Sequence, residues 1–242
     1  MRKRGVKRHY KRRERRAQEG ELLLWDGSPH HWFGKQAGPC NLTAVIDDAT
    51  GALLHGVFTL EEDAQSYLLC LRAILLEKGI PLGLYMDRHG IFRRNDDHWS
   101  LQEQLAGEQT PTQVGQALRE LGIEAIFALS PQAKGRVERL FNTLQDRLVQ
   151  ELKLAAISTP HQATGFLNGA FKADFNARFA KPARERQAAW RPLPKGVDVD
   201  RICSFRYQAT VGNDNTVRLG GIILDIPPGP RHRGYAKVRV EE

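Results

Sequence analysis

Apolar runs separated by turn residues organise this chain. Residues 21–26, ELLLWD, are a short apolar run closed by a carboxylate, the pattern of a strand buried on both faces. Leu42–Ile46 and Leu53–Leu60 are two more apolar segments flanking DDATG at 47–51, where Asp and Gly supply turn chemistry, so the pair predicts a β-hairpin. Thr59 and Glu62 have capping-box spacing and open an amphipathic helix over 62–78 with Tyr67, Leu68, Leu71 and Leu75 inward; Gly79 and Pro81 stop it. Residues 82–87 are another strand ending in an acid, and 88–109 read as a long polar loop. Thr110, Pro111 and Gln113 start a helix that Gly122 ends, and 123–129 form a strand. A turn at 130–135 precedes a helix over 136–154, and Thr159-Pro160 begins a last helix to about 179.

Beyond Lys181-Pro182 the character changes. Prolines and glycines break the chain into short strands at 202–207, 216–219, 222–226 and 236–240. The order βββαβαβαα followed by a small β region predicts an α/β fold: a ribonuclease H-like mixed five-stranded sheet flanked by helices, then a small β-barrel-like domain. The expected organisation is a basic DNA-binding linker at 1–19, a catalytic core at 20–180, a linker at 181–200 and an incomplete β domain at 201–242.

Composition narrows the function. At 41% hydrophobic and 26% charged the 242 residues can bury a core. No apolar run is long enough to span a bilayer, and the N-terminus has no secretory h-region, so no membrane partner is expected. Cys40, Cys70 and Cys203 form no CxxC pair, which fits a reducing interior and speaks against a disulfide framework or a cysteine zinc site. Residues 1–16 carry ten Lys or Arg against Glu14, a local charge of +9 within a chain of net charge +8. Such a run is extended until a polyanion screens it, and it suits a phosphate backbone. Arg2, Lys3, Arg4, Lys7, Arg8, Lys11, Arg12 and Arg13 are its candidate DNA contacts. Residues 17–180, by contrast, sum to −6.

Within that acidic centre three carboxylates stand out by position. Asp26 closes the first buried strand, Asp87 closes the fourth, and Glu138 lies in the first turn of a helix. In the expected sheet the first and fourth strands are neighbours about 4.8 Å apart, which sets Asp26 beside Asp87 under the helix bearing Glu138. Like charges so gathered disfavour joint ionisation, and hard divalent cations resolve the conflict. Two Mg²⁺ ions, with Mn²⁺ able to substitute, suit an in-line phosphoryl displacement. Asp47 and Asp48 fall in the hairpin turn and are expected to serve its backbone. His89 is a candidate support for the acidic site, and Lys134, Arg136 and Arg139 around Glu138 are further candidate DNA contacts.

At these residues the sequence resembles a known family. WDGSPHHWF at 25–33, IDDATG at 46–51, DRHGIF at 87–92 and SPQAKGRVER at 130–139, in this order, are similar to insertion-sequence transposases of the ISNCY-like group, whose catalytic core is of the retroviral-integrase type. The resemblance covers about 17–195, with TLQDRL at 143–148 extending it. It implies a DDE enzyme with Asp26, Asp87 and Glu138 as catalytic, Mg²⁺-binding acids: hydrolysis at a transposon end followed by strand transfer into target DNA. It also implies a homodimer or larger complex on paired DNA ends, in the bacterial cytoplasm at the nucleoid. The 50 residues between Asp87 and Glu138 exceed the spacing of many such cores, the surplus lying in the polar 93–110 stretch. No end-recognising helix-turn-helix precedes the basic run, so a truncated reading frame is expected. Two other readings stand beside the transposase: a ribonuclease H-like nuclease, and a non-catalytic DNA-binding remnant that modulates a full-length enzyme.

Overall fold

The computed structural model describes residues 14–87, 90–92, 94, 96–127, 135–230 and 234–241. Two compact units divide between Cys203 and Ser204. The first is built on a five-stranded mixed sheet in the order β3-β2-β1-β4-β5, formed by β1 (Leu22–His30), β2 (Cys40–Asp47), β3 (Leu53–Thr59), β4 (Gly83–Met86) and β5 (Glu124–Phe127). The first three strands are antiparallel neighbours; β1, β4 and β5 are parallel. This is the ribonuclease H-like sheet that the element order predicts.

Alternation along β1 divides the core in two. Leu23 and Trp25 join one buried cluster with helices α1 (Ala64–Glu77) and α3 (Gln113–Glu120). Leu22 and Leu24 join the opposite cluster with α4 (Gly135–Leu154), α5 (Pro160–Phe166) and α6 (Lys172–Phe179). Both faces are therefore covered, as the continuous apolar run requires.

The strand does not end at Asp26 as the sequence suggests. Its antiparallel pairing with β2 continues to His30 opposite Cys40, through Gly27, Ser28 and Pro29. Pairing with β4 has been recorded only as far as Leu24, and a proline within a strand is tolerated where its missing N–H faces an unpaired side. Three further differences are local. The 88–109 stretch contains a helix, α2 (Leu101–Ala106), opened by a reciprocal capping box between Ser100 and Glu103. Glu103 also accepts from Thr110 N–H at 2.7 Å and pairs with Arg94, and these bonds, led by that from Ser100, hold its carboxyl down at about 2. The cap of α3 is Thr112 rather than Thr110, accepting from Gly115 N–H. Residues 202–207 are not a strand: α7 (Val199–Ile202), capped by Asp198, ends there, and a turn and irregular backbone lead on to 208.

The outer edge of β3 is covered by side chains rather than by another strand. Thr164, Asn168, Lys172 and Asn176 recur every four residues along α5, the wide turn 167–171 and α6. Thr164 Oγ1 accepts from Phe58 N–H at 2.9 Å, and Asn168 both accepts from Gly56 N–H at 3.0 Å and donates to its carbonyl at 2.7 Å. Lys172 Nζ donates to Leu54 O at 3.1 Å, and Asn176 makes a reciprocal pair with Leu53 at 2.8 Å each way. Gly56 permits the approach: a Cβ there would lie 2.6 Å from Leu167 Cδ2. The edge groups that invite aggregation are thereby satisfied.

His55, on the same strand, is held neutral. Burial, with Lys172 nearby, lowers its pKa to about 4, partly opposed by Glu77. The unfolded chain protonates near 6.5, so stability present above that pH should fall as pH drops toward 4, by about 3 kcal/mol in all. Urea titrations at pH 7 and pH 4.5 should show this loss, and His55→Gln should flatten it.

Residues 181–198 lie along the first unit. Lys181 N–H reaches Thr50 O at 2.9 Å, Ala189 N–H reaches Glu19 O at 2.8 Å, and Arg191 and Ile80 exchange backbone bonds of 2.8 Å. The Arg191 guanidinium donates to the carbonyls of Pro81, Leu121 and Gly122, closing the end of α3. In the second unit β6 (Gln208–Thr210) pairs with β9 (Arg239–Glu241), and β7 (Thr216–Leu219) with β8 (Ile222–Asp225), around buried Val211 and Val217. Among the described residues these two-stranded sheets do not close into a barrel. No described helix is long and apolar enough to cross a membrane.

Candidate active site

Two of the three acids singled out in the sequence follow a shared stretch of parallel pairing. Leu22 pairs with Gly83, Leu23 with Leu84 and Leu24 with Tyr85 in the parallel β1–β4 ladder. Asp26 lies two residues beyond Leu24 in β1, and Asp87 two residues beyond Tyr85, just past the end of β4. Both are half-buried. By alternation Asp26 shares the face of Leu22 and Leu24, the face that α4 covers.

Their negative charge is felt by a third group. The Tyr67 hydroxyl, on α1, donates to Glu62. Burial first, then the charge and hydrogen bond of Glu62, then the charges of Asp26 and Asp87, push the phenol far above its ordinary range. Its ring stands edge-on to Trp25 at 5.0 Å and to Phe92 at 4.6 Å. Hard, anionic oxygen donors on neighbouring strand ends suit a divalent cation such as Mg²⁺.

Glu138 occupies the first turn of α4, as expected, and is solvent-exposed. That turn is tied elsewhere. Arg136 pairs with Asp48, whose N–H donates to Leu22 O at 2.9 Å, four residues before Asp26 along β1. Two turns later Gln145 donates to Ser28 Oγ at 3.1 Å. Among the described residues no three carboxylate, histidine or cysteine side chains converge closely enough to share a metal ion. Asp26 and Asp87 thus follow paired positions of neighbouring strands, while Glu138 stands exposed in the first turn of α4.

The remaining candidates sort as follows. Arg2, Lys3, Arg4, Lys7, Arg8, Lys11, Arg12, Arg13, His89 and Lys134 lie outside the described residues. Arg136 is turned inward on Asp48, and Arg139, exposed, donates Nε–H to Gly135 O at 2.9 Å. Both, with Arg15, line a cavity of about 170 Å³ beside Phe175 and Phe179. Asp47 serves the hairpin turn as expected: its oxygens accept from Thr50 N–H at 2.7 Å, the Thr50 hydroxyl at 2.8 Å and Gly20 N–H at 2.9 Å. Burial outweighs these bonds and raises its pKa.

Sequence reasoning missed Glu62. Its capping-box spacing from Thr59 assigned it to the helix start, but the N-cap of α1 is Asp63, whose Oδ1 accepts from Ser66 N–H at 2.7 Å. The competing D-x-x-S pattern, one residue later, was the signal.

No protein-family model matches the chain. It is 40% identical over 202 residues to y4bF of Sinorhizobium fredii, a protein named as a transposase, the match covering 83% of this chain and 42% of that protein. It is 37% identical over 207 residues to the transposase of insertion sequence IS1202 from Streptococcus pneumoniae, covering 86% of this chain and 43% of the relative. The chain spans less than half the length of these two relatives. In structure it is similar, at a TM-score of 0.50 and 14% identity over 93% of this chain and 70% of the other, to a chain of the simian T-cell lymphotropic virus intasome complexed with PP2A regulatory subunit B56 gamma. Over more than four-fifths of its length, therefore, this chain is similar in sequence to part of two transposases, one of them that of an insertion sequence, and that sequence is carried on a ribonuclease H-like sheet.

Proposed function

We propose that the chain carries the DDE catalytic core of an insertion-sequence transposase and acts on DNA phosphodiesters at Asp26 and Asp87, with Glu138 as the third acid. What supports this is the parallel β1–β4 ladder, whose Leu24–Tyr85 pair lies two residues before Asp26 and Asp87, in a chain 40% identical over 202 residues to a protein named as a transposase. The carboxylates of Asp26, Asp87 and Glu138 would hold Mg²⁺, which supplies Lewis-acid stabilisation of the attacking and leaving oxygens. The chain's own part is to fix two acids on rigid strand backbones and so orient the scissile phosphate. Arg15 and Arg139, at the mouth of the cavity below α4, and the basic run at 1–16 are assigned to the DNA backbone, where they add salt-sensitive affinity. Transposon ends and target DNA are the proposed partners, on a dimer or larger assembly in the bacterial cytoplasm.

One observation favours the second reading, a DNA-binding remnant without chemistry: Glu138 stands exposed and its helix turn is bound to Asp48. A single experiment separates the two. The chain is incubated with a labelled transposon-end duplex and supercoiled target, with Mg²⁺ or EDTA. Joined product only with Mg²⁺ supports the enzyme, whereas retarded duplex without nicking or joining supports the remnant. Cleavage of an RNA–DNA hybrid in preference to the duplex would point to the nuclease.

A further inference from the structure

The start of α1 is fastened beneath Asp26 by a set of contacts that helix capping alone does not require. Ser66 Oγ meets Thr43 Oγ1 at 2.9 Å, both fully buried, and Thr43 is the β2 partner of Gly27. Cys70 Sγ lies 3.8 Å from Thr43 O. Immediately before the helix, Glu62 takes the space that a side chain at position 27 would fill: a Cβ on Gly27 would lie 2.6 Å from its Cδ and Oε1 and 2.9 Å from Oε2. The Tyr67 hydroxyl, one turn into the helix, holds the same carboxylate. Tyr67 is 1% exposed and is locked between Trp25 and Phe92.

A half-buried carboxylate gives up hydration that a neutral side chain would not need. A glutamine would fill the space and accept the phenol's hydrogen bond without that cost. The groups do not form a metal cluster of their own, so Glu62 is placed one step behind the acids that would touch an ion.

We propose that Glu62, pinned by Tyr67 against Gly27, is a positioning residue that fixes the Asp26 segment of β1 and adds negative potential for a divalent cation held at Asp26 and Asp87. This rests on the reading of Asp26 and Asp87 as the cation-holding pair. The arrangement has two mechanical parts. Gly27 gives the carboxylate a seat directly on the backbone that carries Asp26, and Tyr67 prevents it from rotating into solvent. The field of Glu62 then reaches the Asp26–Asp87 edge through a low-dielectric layer, where it is screened little.

The test is a terbium titration of the full chain, read by emission sensitised through the Trp25 and Tyr67 rings, with Mg²⁺ competition and a parallel Mg²⁺ dependence of strand joining. Wild type should bind and Asp87→Asn should not. Glu62→Gln should weaken Tb³⁺ and Mg²⁺ binding on the order of tenfold and raise the Mg²⁺ needed for half-maximal joining by a similar factor. Gly27→Ala, which displaces the carboxylate sterically, and Tyr67→Phe, which frees it, should move the same way; for Tyr67→Phe the Mg²⁺ competition with Mn²⁺ is followed by electron paramagnetic resonance, since its sensitiser is altered. If Asp87→Asn binds terbium like wild type, the acidic-pair reading fails. If Asp87→Asn loses binding while Glu62→Gln melts lower but binds both ions as wild type does, Glu62 is merely structural and the proposal is overturned.

Discussion

Asp87→Asn should reduce joining of a transposon-end duplex by about a thousandfold or more while leaving the melting temperature unchanged or slightly raised. The two halves of this expectation come from the same geometry. Asp87 follows β4 directly, two residues past Tyr85, as Asp26 lies two residues past its partner Leu24, and the charges of both act on Tyr67. Amidation keeps the size of the side chain and one acceptor oxygen while removing one of two like charges, so the fold should be little affected. It also removes a hard anionic ligand, and the several kcal/mol of charge stabilisation that a bound divalent ion gives a phosphoryl displacement go with it. Asp26→Asn should behave alike, and the double variant should be little worse than either single one, because groups that act as a unit are non-additive. Radiolabelled-end joining with Mg²⁺ measures the first half and a thermal melt the second. Joining within tenfold of wild type in either variant would sink the assignment.

Asp48→Ala should cost about 3 kcal/mol of folding stability. The Asp48 side chain is fully buried. It accepts from Arg16 N–H at 2.8 Å and pairs with Arg136 of α4, itself 18% exposed. Its backbone carbonyl and that of Ala49 receive the Arg15 guanidinium at 3.4 and 3.2 Å. One carboxylate thus fastens the segment entering β1 and the first turn of α4 to the same hairpin. Truncating it leaves a largely buried guanidinium without this acid and a backbone N–H without this acceptor, the costly way to break a pair. Asp48→Asn keeps the shape and one acceptor and should cost roughly half as much. Urea unfolding followed by tryptophan fluorescence measures both. Equal stability of Asp48→Ala and wild type would show that Arg136 is stabilised by other groups.

Much of the frame was legible because it follows from local rules. The hairpin at 47–51 was announced by Asp, Thr and Gly, and Gly51 does adopt a positive φ of 72°. Thr159-Pro160 marked a helix start, and Thr159 does cap α5. The capping box at Ser100 and Glu103 was equally readable but was lost in a stretch judged by its polarity alone. What could not be read locally is pairing. Nothing near Gly27-Ser28-Pro29 says strand; only Cys40–Asn41 and the residues after them, lying opposite, make it one. Nor does the spacing of Thr164, Asn168, Lys172 and Asn176 disclose that these side chains close the edge of a strand more than a hundred residues earlier.

The sequence by itself determined the five strands of the first unit in their order, several of its helices, the basic run, the four motifs that resemble transposases, and which acids terminate apolar runs. These are properties of neighbours along the chain, set by side-chain period, turn chemistry and charge. The tertiary structure decided which strands meet. Parallel pairing of two strands sixty residues apart set Leu24 opposite Tyr85, each two residues before an acid. An ion pair at Asp48 tied the first turn of the helix carrying Glu138 to the hairpin. The missing Cβ of Gly27 gave Glu62 its seat. Each of these depends on backbones brought within a few ångströms by burial of a shared core, and no linear pattern encodes that distance.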